Sequence, residues 1–445
     1  MRRPTGMLGF TIIWLGQVVS LQGTAMTGFA LTIWAWQATQ QATALALVGF
    51  FNFVPALLVT PFAGALVDRW NRRFVMMLSD LAAVASTVVV LLLFSTGNLQ
   101  IWHLFVTGAF SGAFGAFQFP AYSAAVTTLV SKTQYGRASG MLSTAQFASN
   151  IFAPALAAIL LSVIGISGIL LIDVCTFLVA IGALLLVHVP QPTVTQEGQK
   201  SRGSLWTESV YGFRYIYARK SLLALLLIFL CVNLLAPFAF TLLSPMVLAR
   251  TGGDATVLSL VQSAMGVGGL AGGVALSVWG GPKRRIHGIL LGLILVTMGI
   301  MFIGLGQTLL FWAPAAFFAI FFVPIINGSS QAIWQSKVAP DVQGRVFAAR
   351  SMIAQVGAPV SMLSAGFLAD SVFEPLLAPG GSGVPLFGWL VGSGPGAGMS
   401  LMFVIAGALG MLVGLAGYAF PAVRNVEDLL PDHIAEGSSA AESAA

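Results

Sequence analysis

The sequence predicts an all-α polytopic membrane protein, with twelve transmembrane helices in two pseudo-repeated six-helix bundles. Three observations carry this expectation. The 445 residues are 57% hydrophobic and only 8% charged, with a mean hydropathy of +0.92. Soluble domains carry about 25% charged residues, so this chain has too few to solvate a globular surface of its size. Apolar runs of about the length that crosses a bilayer, ~20 residues, recur twelve times. Basic residues fall in alternate connections between those runs. Together these exclude a soluble enzyme and a disordered chain. The 50 glycines and 20 prolines suit the same setting, because Gly lets membrane helices approach closely and Pro is tolerated within them.

The runs of the first half lie near 8–36, 43–67, 74–95, 101–130, 137–163 and 166–188. The first follows Met1–Met7 and carries no small-residue cleavage site, so it reads as an anchor helix and not as a removed leader. The runs of the second half lie near 221–250, 256–280, 286–306, 309–334, 344–371 and 397–420. With the N-terminus in the cytoplasm, 19 of the 20 Lys and Arg fall inside and only Arg250 falls outside. That is the positive-inside asymmetry, and an even number of spans places both termini in the cytoplasm. The net charge of +6 therefore reflects topology and implies no nucleic-acid partner. Between the halves, 189–220 starts polar and Pro-rich. Trp206, Val210, Phe213 and Tyr217 then fall on one helical face, which predicts a helix lying in the cytoplasmic interface. The expected organisation is a bundle over 1–188, a linker over 189–220, a bundle over 221–420 and a disordered cytoplasmic tail over 421–445.

Cys175 and Cys231 sit in apolar runs without disulfide or metal-ligand spacing and are expected to be buried small hydrophobes. No Walker A sequence, HExxH, nucleophile elbow or Cys/His cluster is present. The sequence supports neither a nucleotide-driven pump nor an enzyme, and implies no cofactor and no metal centre.

The two halves repeat. Val130-Ser-Lys-Thr-Gln-Tyr-Gly136-Arg137 matches Val338-Ala-Pro-Asp-Val-Gln-Gly344-Arg345 at an offset of 208 residues. The run Gly64-Ala-Leu-Val-Asp68-Arg69-Trp70-Asn71-Arg72-Arg73 has a decayed partner at offset 209, beginning at Gly273, with Ser277 where Asp would stand. Two matches at nearly one offset, both in equivalent loops, identify an internal repeat. Repeated halves joined by a long central loop suit a transporter whose bundles rock about a site near the membrane midplane.

The Gly64–Arg73 run resembles the signature loop of the major facilitator superfamily, between its second and third helices. The opening WLGQVVSLQGTAMTGFALTIW, the PFAGALVDR stretch and the later FGWLVGSGPGAGM resemble that superfamily's drug-and-siderophore exporter branch, the branch of macrolide efflux proteins and enterobactin exporters. The resemblance implies a gate: Gly64, Asp68, Arg69, Arg72 and Arg73, with Gly136, Arg137, Gly344 and Arg345 in the repeated loops, would hold the cytoplasmic side closed. The residues fit that role in their own right. A carboxylate among arginines can pair with them, and can also face the N-terminus of a neighbouring helix, which favours negative charge. Ala153-Pro154-Ala155 resembles the exporters' antiporter motif with Ala in place of Gly, and Gly357-Ala358-Pro359 looks like its counterpart.

The same resemblance would line a central cavity with spans one, four, seven and ten and parts of two, five, eight and eleven. Uncharged polar residues on those spans are Gln17, Gln22, Asn52, Gln118, Gln146, Asn150, Asn233, Gln262, Asn327 and Gln355, with Tyr122 beside them. As a set they suggest hydrogen bonding to an uncharged or amphipathic ligand, with Phe117, Phe119, Phe238 and Phe240 as apolar walls. Each alone can serve equally as helix-to-helix glue. Asp80 and Asp173 are the clear intramembrane acids and so the candidates for proton coupling. Asp80 lies near enough to Arg72 and Arg73 to join their network, whereas Asp173 has no sequence-local partner. His103, beside Trp102, reads as an interface residue.

The expectation is a monomeric secondary transporter of a bacterial cytoplasmic membrane, in contact with lipid. It would export a hydrophobic or amphipathic small molecule against protons. An importer or facilitator on the same scaffold, or a non-transporting sensor, are the alternatives. A sensor usually carries an added signalling domain, and neither the loop nor the tail is long enough for one.

Overall fold

A computed structural model describes residues 4–130, 134–189, 213–338 and 343–429. Every regular element among the described residues is helical. The first half comprises α1 (Gly6–Thr39), α2 (Ala42–Arg69), α3 (Arg72–Ser95), α4 (Ile101–Gly115), α5 (Gln118–Leu129) and α6 (Tyr135–Leu186). The second comprises α7 (Lys220–Thr251), α8 (Ala255–Trp279), α9 (Arg285–Leu305), α10 (Leu309–Phe321), α11 (Val323–Lys337), α12 (Gln343–Leu368), α13 (Glu374–Leu377), α14 (Val384–Val391) and α15 (Ala397–Ala419). Two short helices, α16 (Pro421–Arg424) and α17 (Val426–Leu429), follow.

These elements make the twelve spans. Ten stretches among the described residues are long and apolar enough to cross a membrane. Span four is the α4–α5 pair, interrupted near Ala116 and Phe117, so neither piece reaches that length alone. Helix α6 holds two spans in its 52 residues, broken at Gly165 with φ 65° and ψ −173°. At 1.5 Å per residue a straight helix of that length would run about 78 Å, more than twice the ~30 Å hydrocarbon core. Contacts with α1 prove the reversal. The Trp14 indole donates to the carbonyl of Met141, while Gly9 packs against Val187. Further along α1, Ser149 approaches the carbonyl of Leu21, and Gly23 packs against Asp173 and Thr176. The two arms of α6 thus lie antiparallel beside one helix, as spans five and six. Glycine alone tolerates the positive φ at their corner without strain.

The repeat is visible in the helices. Leu309 opens α10 208 residues after Ile101 opens α4, and Gln343 opens α12 208 residues after Tyr135 opens α6. Span ten is interrupted at Phe322, just as span four is interrupted. At this offset Gly64 corresponds to Gly272, one residue before the Gly273 that the sequence match selects. Gly272 is a contact glycine: a Cβ there would collide with the Phe321 carbonyl oxygen, whereas nothing lies within 4 Å of one at Gly273. Replacing Gly272 with Val should therefore lower the melting temperature of the purified protein by roughly 2–10 °C, since overpacking costs ~1–3 kcal/mol. An unchanged melting curve would show that α8 and α10 separate without penalty.

Two expectations need adjustment. Cys175 and Cys231 are exposed rather than buried, on a surface that also shows Leu171, Leu178, Leu227 and Leu234. In lipid such a surface costs nothing, because hydrocarbon solvates it. The tail does not start disordered at 421: α16 and α17 pack Val423 and Val426 into the core, and Lys337 donates through its ammonium to the Glu427 carbonyl. The segment joining spans eleven and twelve holds the additional helix α14. Of the amphipathic stretch, Trp206 and Val210 lie outside the described residues. Residues 213–217 are helical, with Phe213 and Tyr217 exposed and Tyr215 and Ile216 packed against Leu222, Leu226 and Trp334.

The two halves meet unevenly. At the end that carries the basic loops, each half has its own core. Phe10, Ile13, Val75, Met76, Leu184 and Val187 form one, and Ile216, Leu222, Trp334 and Val346 another. The shared core takes its first-half members from the other end: Met26 to Trp36 of α1, Ala42 of α2, and Ala153, Ala157 and Ile169 around the Gly165 corner. The bundles are therefore joined at the end remote from the basic loops.

Candidate functional site

The joint between the halves is built from helix termini and small residues. Helix α2 starts after Gln41, whose side chain makes no capping bond. Its first amide groups are satisfied from the other half instead. The Asp370 carboxylate, in the wide turn Ala369–Phe373 that ends span eleven, accepts from the Ala42 amide at 3.0 Å and the Thr43 amide at 2.7 Å. A carboxylate at a helix N-terminus satisfies free donors and meets the positive end of the helix dipole. Gly366 packs on Thr43 and Ala46, and Gly49 faces Met362. A second seam joins span five to α8: the Ser263 hydroxyl donates to the Ile151 carbonyl at 2.8 Å, and Gly266 lies against Asn150 and Ile151. Asp370 is not among the candidates that the sequence offers; its signal there is an acid at the end of span eleven, opposite a helix that begins without a Ser, Thr, Asp or Asn cap.

Polar cavities lie between and within the halves. One of about 570 Å³ is lined by Asn52, Thr24, Thr27, Thr87 and Asp173 of the first half and by Thr241, Ser244 and Met362 of the second. One of about 470 Å³ also spans both halves, with Ser149 and Asn150 facing Phe240 and Gln262. A cavity of about 400 Å³ in the first half collects Gln17, Gln118, Tyr122 and Gln146 beside Trp14. Its counterpart in the second half, about 560 Å³, holds Asn233, Asn327, Gln331 and Arg350. Nine of the eleven expected residues thus line cavities. Gln22 and Gln355 line none of these four, and Gln355 is exposed on α12. Of the expected apolar walls, Phe240 lines two of them, and Phe238 faces a separate apolar pocket with Leu234 and Met402. Phe117 packs on the first-half core. The side chain of Phe119 lies outside the described residues.

The two acids have different surroundings. Asp80 is taken by glutamines and not by Arg72 or Arg73. Gln17 donates to Oδ2 at 3.0 Å, Gln118 donates to Oδ1 at 3.0 Å, and Gln118 also donates to the Gln17 carbonyl oxygen at 2.8 Å. This triangle ties spans one, three and four. Among the described residues the Gln118 side-chain carbonyl oxygen and the Tyr122 hydroxyl have no partners at the edge of the 400 Å³ cavity, an acceptor and a donor available to a ligand. Asp173 is 1% exposed and lies among threonines: Thr87 donates to Oδ2 at 3.0 Å and Thr24 approaches Oδ1 at 3.4 Å.

The gating residues divide. Gly64, Asp68 and Arg69 lie in the last turns of α2, Gly136 and Arg137 in the first turn of α6, and Gly344 and Arg345 in the first turn of α12. Their side chains lie outside the described residues. Arg72 is buried at the start of α3, and Arg73 donates to the Leu185 carbonyl at 3.0 Å, tying α3 to the end of span six. His103 accepts from the Gln100 amide through Nδ1 and lies tilted against Trp102, a helix-start arrangement that fits an interface residue. Arg250, the one basic residue remote from the basic loops, is held by Ser400 and the Val391 carbonyl.

An all-helical, multi-pass membrane protein with two repeated bundles and polar cavities between them has the construction of a secondary transporter. The sequence profile described as Major Facilitator Superfamily matches residues 13–362, and the chain belongs to that family. Its members move small molecules through a membrane and are not enzymes. Among its relatives, Macrolide efflux protein A of Streptococcus pyogenes is 27% identical over 377 residues, covering 82% of this chain and 90% of that protein. Multidrug efflux pump Tap of Mycolicibacterium fortuitum is 25% identical over 373 residues, covering 79% and 88%. The fold matches the crystal structure of a bacterial homolog of the human lysosomal transporter Spinster with a TM-score of 0.68, at 16% identity, over 92% of this chain and 98% of the other.

Proposed function

We propose that this transporter exports a hydrophobic or amphipathic small molecule, such as a drug, a macrolide, a siderophore or another secondary metabolite, by alternating access in exchange for protons. The observation that carries the reading is the uneven meeting of the halves: a joint at one end, separate cores at the other, and polar cavities between them that include a buried carboxylate. The naming of relatives as efflux proteins supports the outward direction. The basic end is the cytoplasmic face of a bacterial inner membrane, with both termini on that side. The conformation described is then the one sealed toward the outside.

In this reading the cavity residues from both halves hydrogen-bond the substrate, while Asp173 and Asp80 are the groups that exchange protons. Gly64, Asp68, Arg69, Arg72, Arg73, Gly136, Arg137, Gly344 and Arg345 close the cytoplasmic side when the outer joint opens. The protein works as a monomer, each chain carrying its own cavity. Expression in a bacterial host lacking its major efflux pumps should lower the steady-state accumulation of a labelled macrolide several-fold, and collapse of the proton gradient should restore it. Accumulation equal to that of the empty-vector host across a panel of macrolides, siderophores and hydrophobic dyes would overturn the export reading.

A further inference from the structure

The surroundings of Asp173 are richer in oxygen than a proton site requires. Thr24 and Thr27 come from α1, Thr87 from α3 and Asp173 from span six, and all four line the 570 Å³ cavity. Thr24 and Thr87 reach the two carboxylate oxygens. Thr27 turns a third hydroxyl toward the same carboxylate and is 7% exposed. Among the described residues the carboxylate has no cationic side chain among its partners. A buried charge must be paired, coordinate a metal ion or be neutralised.

We propose that Asp173, Thr24, Thr27 and Thr87 form a sodium-binding site. The donor set comprises five oxygens, two from the carboxylate and three from hydroxyls. Oxygen-only sites suit hard cations. A single carboxylate balances a single positive charge, whereas calcium sites gather several acidic side chains. A threonine hydroxyl that donates to a carboxylate keeps lone pairs for a cation, so Thr24 and Thr87 can serve both partners. Thr27, facing the same carboxylate, keeps lone pairs in the same way and closes the cage. The ion enters through the cavity, whose opposite wall is Thr241, Ser244 and Met362 of the second half. Occupancy of the site therefore senses the separation of the halves. This inference deepens the antiport reading, naming an ion that shares the carboxylate with the proton.

The test uses the purified full-length chain in lipid nanodiscs and reads binding of radioactive sodium against choline, without any transport assay. Saturable binding is expected in the wild type, with loss in Asp173→Asn. Thr27→Val, which keeps the shape and removes the oxygen, should weaken it roughly fivefold, the order expected for losing one neutral oxygen partner. Thr27→Ser, which keeps the oxygen, should bind within about twofold of the wild type. Sodium-dependent shifts in thermal unfolding should follow the same order and report folding in each variant. No saturable sodium binding by the folded wild type, or binding unchanged in Thr27→Val, would overturn the site. Because binding is read apart from transport, a protein that binds sodium but fails to export would sink the exporter reading and leave the ion site standing.

Discussion

Replacing Asp370 with Ala is expected to open the end of the molecule remote from the basic loops. Its carboxylate accepts from two amides at the start of α2, across the boundary between the halves. Local capping cannot substitute, since the Gln41 side chain makes no such bond. Loss of a helix cap costs ~1–2 kcal/mol, and here the cost falls only on the conformation in which the halves are joined at this end. A shift of that size moves a two-state equilibrium roughly 5- to 30-fold toward the alternative. A cysteine at Met362, which packs on Gly49 inside the joint, reports it. In the Asp370→Ala background this cysteine should react with a membrane-impermeant maleimide, added on the side remote from the basic loops, several-fold faster than in the parent. Equal reactivity would show that the seam of Gly366, Gly49 and Ser263 holds the end closed without the carboxylate.

Asp173→Asn carries the other large effect. The side chain is almost completely buried, and its hydrogen bonds come from neutral threonines. An uncompensated carboxylate at that depth is costly, so its charge must be met by a proton or a cation whenever the site is closed. Asparagine preserves size and accepts hydrogen bonds, but it carries no negative charge to balance a cation and no acidic proton to exchange. Efflux driven by an imposed pH gradient in inside-out vesicles should disappear, while downhill exchange of substrate stays measurable. Asp80→Asn is the informative companion. Gln17 and Gln118 already satisfy Asp80 within one half, so its loss should weaken the packing of spans one, three and four more than the coupling. Gradient-driven efflux persisting in both variants would remove the two acids from the mechanism.

The sequence by itself determined the all-helical class, the twelve spans, the repeat offset and the membrane setting. These follow from hydropathy and from the ~20-residue length of a crossing, which are local properties that no tertiary contact alters. The Gly165 corner, between runs expected to end at 163 and begin at 166, was legible for the same reason. Most of the polar residues singled out on the spans face cavities, because a polar side chain in an apolar helix has few places to face except inward; whether they meet a substrate is the proposal above.

Only the tertiary structure decided the partners. Asp80 was expected to join Arg72 and Arg73 by proximity along α3, yet two glutamines from α1 and α5 take it. Asp173 had no sequence-local partner and found threonines on two other helices. The caps show the same division. Helices α2, α9 and α15 begin without a side-chain cap of their own, and their amides are met by Asp370, by Glu427 and by Glu374 respectively. No pattern within one helix encodes these bonds, since donor and acceptor lie between 22 and 328 residues apart. A helix in lipid satisfies its own interior backbone, but its ends and its buried acids must be satisfied by whichever helix the fold brings alongside.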